Sequence, residues 1–262
     1  MFTLGVVPYL NALPLYRTLE TSGQARFLRA VPAQLSPRLA ADECDAALIP
    51  IVDHFRGVGS EVISDACIGS NGPVRSVLLF TTVPVQQISS VAIDTSSHTS
   101  VALLRIILSD GYGVQPPFID HAPDLPAMLS GHDAALLIGD KALEAVEMAQ
   151  SKNLNILDLG HEWTHTVTQK PFVYAAWVTR HDLAPAAQED LAALLNTARD
   201  EGVSNLETIV RHNPIQTRLS PTQILDYLTR AIEFDLTPAH RTGMAEFQRR
   251  CEKHNLLNDF VS

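Results

Sequence analysis

The chain has 262 residues, of which 46% are hydrophobic and 18% are charged, a globular balance that excludes extensive disorder. Its formal net charge is -10 at pH 7, and it has no stripe of Lys and Arg that could neutralise a phosphate backbone, which argues against nucleic acid as a partner. It also has no run of about 18 apolar residues, which argues against a membrane span.

The first residues and the cysteines indicate a compartment. A strand-like run begins at Phe2, without the basic and apolar regions of a secretory signal. The three cysteines stand at irregular spacing, with no CxxC motif and no paired histidines that would complete a zinc site. We therefore expect a cytoplasmic protein with no bound metal.

Short apolar runs bounded by Pro, Gly and polar residues predict buried strands through much of the chain. They cover residues 2–7, 26–30, 46–51, 62–68, 74–82, 91–94, 134–138 and 172–179. Helical patterns lie between several of them, at 33–41, 100–108 and 141–149, and fill the C-terminal part at 185–201, 204–212, 221–234 and 238–254. Strands that alternate with helices predict a parallel sheet covered on both faces.

One string occurs twice. Residues 45–48 and 133–136 both read Asp-Ala-Ala-Leu, and an apolar pair and a small-residue turn follow each copy. The preceding helical segments also correspond, because Leu35 and Leu39 precede the first copy as Leu125 and Leu129 precede the second. Either the string recurs by chance, or two lobes share one plan.

If the chain forms two lobes, its residues divide between them as follows. The first would contain residues 1–83 and 172–262, with the C-terminal helices packed back on it, and the second would contain residues 84–171. The fold class is then α/β, similar to type II periplasmic binding proteins, with two α/β lobes joined by two crossover strands and a cleft between them. Ligands in such folds bind in the cleft, beyond the carboxyl ends of the strands.

A hydroxyl-rich segment follows the strand at 91–94 and precedes a helix. The unpaired N–H groups and positive dipole of a helix N-terminus, together with hydroxyls, can bind a carboxylate without a formal positive charge. An ordinary cap is the alternative, although one Ser or Thr suffices for it. We predict that this segment binds substrate through Thr95, Ser96, Ser97, Thr99 and Ser100.

Asn11 follows the first strand, where a short helix should begin. It could cap that helix, and its amide could also offer a ligand both a donor and an acceptor. Tyr9 is expected to form a wall of the site. Gly139, at the junction between the strand at 134–138 and the following helix, is also predicted to contact substrate.

The Gly-Pro turn at 72–73 leads into the strand at 74–82 with polar residues around it. We predict that Ser70, Asn71 and Ser76 bind substrate, although the Ser76 hydroxyl could instead bond its neighbours. Arg75 is expected to face solvent. Ten histidines make this residue type common here, so His98 does not stand out as a base. No GxGxxG, Walker or GxSxG motif supports a nucleotide or an acyl-serine mechanism.

Five segments in order resemble the chorismate dehydratase branch of the menaquinone biosynthesis enzymes. They are PYLNALPL (8–15), SNGPVRSVLLF (70–80), DTSSHTSVALLRIIL (94–108), DAALLIGD (133–140) and PFVYAAW (171–177). One departure is Thr-Gln-Lys-Pro at 168–171, where the family pattern is expected to read Thr-Gly-Leu-Pro. Without glycine, this loop is expected to differ locally.

The resemblance implies dehydration of chorismate to 3-[(1-carboxyvinyl)oxy]benzoate, a reaction that needs no cofactor because aromatisation helps to drive it. Asn11 would be the catalytic residue and would orient the departing hydroxyl. The small-molecule substrate carries two carboxylates, which the hydroxyl-rich segments would bind.

Two other functions remain open. A related enzyme of the same pathway makes a dihydroxynaphthoate from a bulkier substrate, but Pro8-Tyr9-Leu10-Asn11 does not match the N-terminal motif expected for it. A solute-binding protein for a small organic anion would need no catalytic group. The absence of a signal peptide argues against this binder, whereas the lack of an evident base favours it.

Overall fold

A computed structural model describes residues 1–94 and 96–258. Its strands are β1 (Phe2–Val6), β2 (Ala25–Arg29), β3 (Ala46–Pro50), β4 (Val62–Ser70), β5 (Val77–Thr81), β6 (Val91–Asp94), β7 (Phe118–His121), β8 (Ala134–Ile138), β9 (Asn155–Asp158), β10 (Phe172–Thr179) and β11 (Glu233–Asp235). The sheets that they form are mixed, with parallel and antiparallel pairs.

The helices surround these strands. They are α1 (Leu13–Ser22), α2 (Pro32–Ala40), α3 (Ile51–Phe55), α4 (His98–Ile106), α5 (Leu125–Leu129), α6 (Gly139–Ser151), α7 (Leu159–Glu162), α8 (Pro185–Ser204), α9 (Leu206–Arg211), α10 (Pro221–Arg230) and α11 (Pro238–Lys253). A 3-10 turn at Leu10–Ala12 precedes α1, and π-helical turns at Ile107–Gly111 and Trp163–Thr168 extend α4 and α7.

Two sheets with the same plan form the two lobes. The first sheet has the order β2-β1-β3-β10-β4-β11, and the second has the order β7-β6-β8-β5-β9. In each, the first three strands are parallel, and the fourth, β10 or β5, is antiparallel to the strands on both sides of it. The two Asp-Ala-Ala-Leu strings enter β3 and β8, which hold the same central position. The internal repeat is therefore a repeat of the fold.

The chain passes between the sheets twice, and each passage delivers an antiparallel strand. After β4 it crosses through residues 71–76 to β5, which pairs with β8 and β9. After β9 it returns through residues 159–171 to β10, which pairs with β3 and β4. The crossing segments are a turn and short helical pieces, not the strands that the sequence predicted.

This pairing corrects the first predicted boundary. Residues up to 83 were assigned to the first lobe, but β5 (Val77–Thr81) belongs to the second sheet. The turn explains the change: Gly72 has φ +112° and Arg75 has φ +62°, and Pro73 cannot donate a ladder hydrogen bond. These residues end the first sheet before residue 74, where the predicted strand began. The full limits of the lobes stay a prediction.

The C-terminal segment packs mainly on the first lobe. The predicted helix at 221–234 ends at Arg230, and Glu233–Asp235 instead adds a strand to the edge of β4. Helix α8 packs closely on α1, since a Cβ on Gly202 would lie only 1.8 Å from the Pro14 carbonyl oxygen. Among the described residues, no helix combines the length and the apolar composition needed to cross a bilayer.

Candidate functional site

A cavity of about 60 Å³ lies between the two lobes. The segments after β1 and β6, the carboxyl ends of β3 and β8, and the start of β5 surround it. Six predicted site residues line it, together with Tyr174 and apolar side chains: Tyr9, Asn11, Ser76, Ser97, Ser100 and Gly139. The cavity therefore occupies the position expected for a ligand in a two-lobed α/β fold.

Asn11 lies in the 3-10 turn and caps no helix. The N-cap residue of α1 is Ala12, and neither the 3-10 turn nor α1 begins with a side-chain capping bond. The Asn11 Oδ1 atom is buried and has no hydrogen-bond partner. Because leaving a buried acceptor unpaired is costly, such an atom at a cavity wall is suited to receive a hydrogen bond from a ligand.

Ser97 and Ser100 form a short hydroxyl chain at the N-terminus of α4. The Ser97 side chain accepts a hydrogen bond from the Ser100 backbone N–H at 3.3 Å, as an N-cap does, and donates to Ser100 Oγ at 2.8 Å. The hydroxyl hydrogen of Ser100 is then left for another acceptor. This arrangement can donate to an anion at the positive end of the helix.

Two further members of the hydroxyl-rich segment, Thr99 and Ser96, do not line the cavity. Thr99 is buried, and its Oγ1 accepts a 3.3 Å bond from the Val52 backbone N–H in α3. The Ser96 backbone N–H donates to Asp94 at 2.9 Å. Thr95 lies outside the described residues.

The predicted residues around the first crossing separate into three environments. Ser76 is buried at the cavity, and its Oγ accepts a 2.7 Å hydrogen bond from the Tyr227 hydroxyl. Ser70 is also buried but lies behind the wall, where its hydroxyl is 3.3 Å from that of Tyr174. Asn71 is exposed and does not line the cavity. Only Ser76 is therefore placed to meet a ligand.

Tyr9 closes one side of the cavity by reaching across to the other lobe. A Cβ on Gly139 would lie 3.6 Å from the Tyr9 ring, and Gly139 has φ +59°. Glycine suits this position because few other residues adopt that φ without strain. Burial raises the pKa of the Tyr9 hydroxyl, and its hydrogen bond with Ser96 opposes that increase.

Two further contacts join the lobes beside the cavity. Asp140 Oδ1 accepts a 3.3 Å hydrogen bond from the Leu10 backbone N–H, next to Asn11, and burial raises the Asp140 pKa to about 6. His98 Nδ1 lies 2.8 Å from Oδ2 of Asp53, a fully buried carboxylate. His98 therefore joins α4 to α3 and does not line the cavity.

Sequence reasoning missed two tyrosines at the site. Tyr174 lies in β10 and lines the cavity, and Tyr227 lies in α10 behind Ser76. A usable signal was present, because Ile224, Tyr227 and Leu228 form a helical stripe. A buried tyrosine in such a stripe needs a partner for its hydroxyl.

The lining side chains bear no carboxylate, imidazole or amine. The titratable ones are Tyr9 and Tyr174, and burial raises the pKa of both hydroxyls. An anion in this cavity would therefore be bound by neutral donors and by the N-terminus of α4. Within residues 1–94 and 96–258, no group of three or more His, Cys, Asp or Glu side chains could hold a metal ion.

Comparisons with known proteins agree on family and fold. A family model described as menaquinone biosynthesis matches residues 2–253. Chorismate dehydratase of Thermus thermophilus is 29% identical over 260 residues, covering 94% of this chain and 93% of that protein. Chorismate dehydratase of Campylobacter jejuni is 25% identical over 260 residues, with coverages of 96% and 98%.

The fold is also similar to that of proteins with much lower sequence identity. A Candida albicans gene product described as having the generic periplasmic-binding-protein fold superposes with a TM-score of 0.65 at 11% identity, covering 100% of this chain and 91% of that one. Such low identity shows the fold alone. The predicted two-lobed fold class is confirmed.

Proposed function

Because the chain belongs to the menaquinone biosynthesis family, we propose that it dehydrates chorismate to 3-[(1-carboxyvinyl)oxy]benzoate. Two curated relatives that it matches over nearly their whole length are chorismate dehydratases. The structural observation that carries the proposal is the buried, unpartnered Oδ1 of Asn11. It provides an acceptor for the ring hydroxyl of chorismate in a cavity otherwise rich in hydroxyl donors.

The reaction breaks two bonds that join ring carbons to their substituents, a C–H bond and a C–O bond. The electrons of the C–H bond complete the aromatic ring, the hydroxyl departs with the electrons of the C–O bond, and the released proton joins it to form water. No external oxidant or reductant is needed, and aromatisation favours the product. The protein has to position the substrate, exclude water and stabilise the departing group.

The lining residues suit these tasks and leave the base to the substrate. Ser97 and Ser100, together with the N-terminus of α4, would bind carboxylate oxygen atoms of the substrate. Ser76 would donate a hydrogen bond to the substrate from the opposite wall. The described lining side chains bear no carboxylate, imidazole or amine, and we propose that a carboxylate of chorismate itself takes the ring proton. Asn11 has no useful acid or base pKa and would act by hydrogen bonding.

Purified protein incubated with chorismate tests the proposal. Proton NMR should show the ring-diene signals replaced by aromatic signals, while the vinyl protons of the enolpyruvyl ether remain. Chorismate that binds without conversion would indicate a solute-binding protein. Chorismate that neither binds nor reacts would contradict both functions.

Asn11→Ala should lower kcat by about 10²-fold, because it removes the hydrogen bond that orients the hydroxyl for departure. KM should change much less. Asn155→Ala is the matched control, since Asn155 is an exposed asparagine at the start of β9. Steady-state kinetics and the thermal midpoint decide the outcome: a kcat equal to wild type with a lowered midpoint would contradict the catalytic role.

We also infer a cytoplasmic location. All three cysteines are free and buried, a use of cysteine that fits a reducing compartment. Fractionation of the native cells, with immunodetection of the chain, tests this inference.

A further inference from the structure

A fully buried carboxylate in α3 lies where the two lobes meet. Asp53 accepts two hydrogen bonds from donors beside the first sheet. Ser36 Oγ in α2 donates to Oδ2 at 2.6 Å, and Arg56 Nη1 donates to Oδ1 at 3.1 Å. A charge in the protein interior is tolerated when it is paired and hydrogen-bonded in this way. The first lobe therefore holds this carboxylate in a fixed position.

The second lobe supplies a further donor to the same carboxylate. His98 begins α4, which follows β6 of the second sheet. Its Nδ1 atom lies 2.9 Å from Oδ1 and 2.8 Å from Oδ2 of Asp53. An ionised carboxylate only accepts hydrogen bonds, so Nδ1 carries a hydrogen and donates it. A hydrogen bond to a charged group is stronger than one between neutral groups, and this one joins the lobes.

The histidine stands beside the proposed anion site. His98 directly follows Ser97, whose hydroxyl caps α4 and lines the cavity. On the other side of Ser97, the Ser96 carbonyl oxygen accepts a 3.2 Å hydrogen bond from the Ala33 backbone N–H in α2. Elements of the first lobe thus bind the chain on both sides of Ser97, although this segment belongs to the second sheet.

We propose that Asp53 and His98 form a latch that holds the lobes closed and positions the Ser97 and Ser100 hydroxyls for the substrate. The inference rests on the proposed function and deepens it. His98 is a positioning residue, since it does not line the cavity and acts through the two serines.

The surroundings of the pair allow it to open and close. When His98 leaves, Asp53 keeps its bonds from Ser36 and Arg56, so no buried charge is left without a donor. The His98 side chain is 35% exposed, so water can solvate the ring in the open state. The neighbouring bond between Thr99 and Val52 is 3.3 Å long and joins neutral groups, so it should contribute less to closure.

His98→Leu and His98→Asn are a matched pair of variants. The two new side chains have nearly the same shape, but only asparagine has a donor, as many bonds from the backbone as Nδ1. His98→Leu should raise KM by about tenfold, because substrate is retained only by the fraction of molecules that is closed. Its kcat should stay within about threefold, since the two serines bind the substrate and the transition state alike.

Rescue and a control separate the latch from a general loss of stability. His98→Asn should return KM to within about threefold of wild type, and His98→Ala should behave as His98→Leu does. His132→Ala is the control, because His132 is a half-buried histidine whose Nδ1 lies 3.3 Å from Ser90 Oγ in the same lobe. Its KM and kcat should match wild type. A wild-type KM in His98→Leu and His98→Ala, or equal KM values in His98→Leu and His98→Asn, would overturn the proposal.

Small-angle X-ray scattering of the ligand-free proteins tests the latch without turnover. The radius of gyration should be larger in His98→Leu than in wild type, because the open population increases, and it should be unchanged in His132→Ala. Equal radii in wild type and His98→Leu would overturn the latch. If wild-type protein does not convert chorismate, the proposed function fails, and the scattering alone then decides whether Asp53 and His98 hold the lobes together.

Discussion

Two buried polar groups lie near the contact between the lobes, Asn11 and Asp140, and Asp140 bonds the backbone of Leu10, the residue before Asn11. Asn11 Oδ1 is buried without a donor. Asp140 is a buried carboxyl group that accepts a 3.3 Å hydrogen bond from the Leu10 backbone N–H. Burial of the charged form is costly unless it is well paired, so Asp140 is a residue whose protonation should affect stability.

Asp140→Asn should therefore stabilise the protein most at neutral pH. Burial raises the Asp140 pKa from its ordinary value of 3.8 to about 6, so the native state holds the proton more tightly than the unfolded state does. Its contribution to stability is full below about pH 4 and is lost as pH rises through about pH 6. The asparagine variant avoids that loss, worth up to about 3 kcal/mol.

Urea unfolding of both proteins at several values between pH 4 and pH 7 measures this difference. Glu144→Gln, one turn later in α6, is a control of opposite sign. Burial alone would raise the Glu144 pKa, but hydrogen bonds from Arg218 and Thr217 hold it below its usual value, so its carboxylate contributes stability that disappears as pH falls. The expectation would be contradicted if the unfolding free energy of Asp140→Asn changed with pH in the same way as that of the wild-type protein.

At the scale of elements, the start of α4 serves two purposes with adjacent side chains. Ser97 and Ser100 line the cavity, whereas Thr99 points to α3 and accepts the Val52 backbone N–H. The helix turn itself causes this separation, since successive residues lie about 100° apart around the axis. A hydroxyl-rich helix start can therefore bind a ligand on one side and satisfy a neighbouring helix on the other.

Ser100→Ala should weaken substrate binding, and Thr99→Ala should not. Loss of a hydrogen bond to a charged group costs about 1 to 3 kcal/mol, so we expect KM to rise by about 5- to 150-fold in Ser100→Ala. Thr99→Ala leaves the Val52 backbone N–H without its acceptor and should lower the unfolding free energy by about 1 kcal/mol. KM and urea unfolding on both variants check this, and equal KM changes would contradict it.

The loop before β10 contains a residue with a side chain in the left-handed conformation. Gln169 has φ +62°, in the region where a glycine was expected from the resemblance. This conformation costs a residue with a Cβ about 1 to 2 kcal/mol. The expected local difference is thus backbone strain at Gln169.

At the scale of the whole molecule, the chain completes the first sheet only after it has formed the second. The second sheet contains β5 to β9, and the chain then returns so that β10 lies between β3 and β4. The first lobe therefore needs a strand that the chain supplies only after leaving it and returning. The cavity lies beside the start of β5 and beside β10, which couples the site to both lobes.

A fragment of residues 74–160 should fold better than one of residues 84–160. The longer fragment keeps β5, whose Leu78, Leu79 and Phe80 are buried, whereas the shorter one removes the strand to which β9 pairs. Circular dichroism should show a cooperative thermal transition in the longer fragment alone. A transition in the shorter fragment would contradict the placement of β5 in the second lobe.

The sequence by itself determined the two-lobed α/β class, the internal repeat and the segments that form the cavity. These features depend on local pattern, because apolar runs, turn residues and repeated strings are read within short windows. The hydroxyl-rich segment and the turn of Asn11 follow strands directly, so their place at the carboxyl ends of the sheets also followed from local order.

Only the tertiary structure decided which side chains meet. The predicted boundary failed because strand pairing depends on partners far along the chain, and β5 pairs with strands of the second sheet. Tyr227 reaches Ser76 through the packing of a C-terminal helix, and Thr99 turns to Val52 while Ser100 lines the cavity. These outcomes depend on long-range packing and hydrogen-bond satisfaction, which no short window of sequence contains.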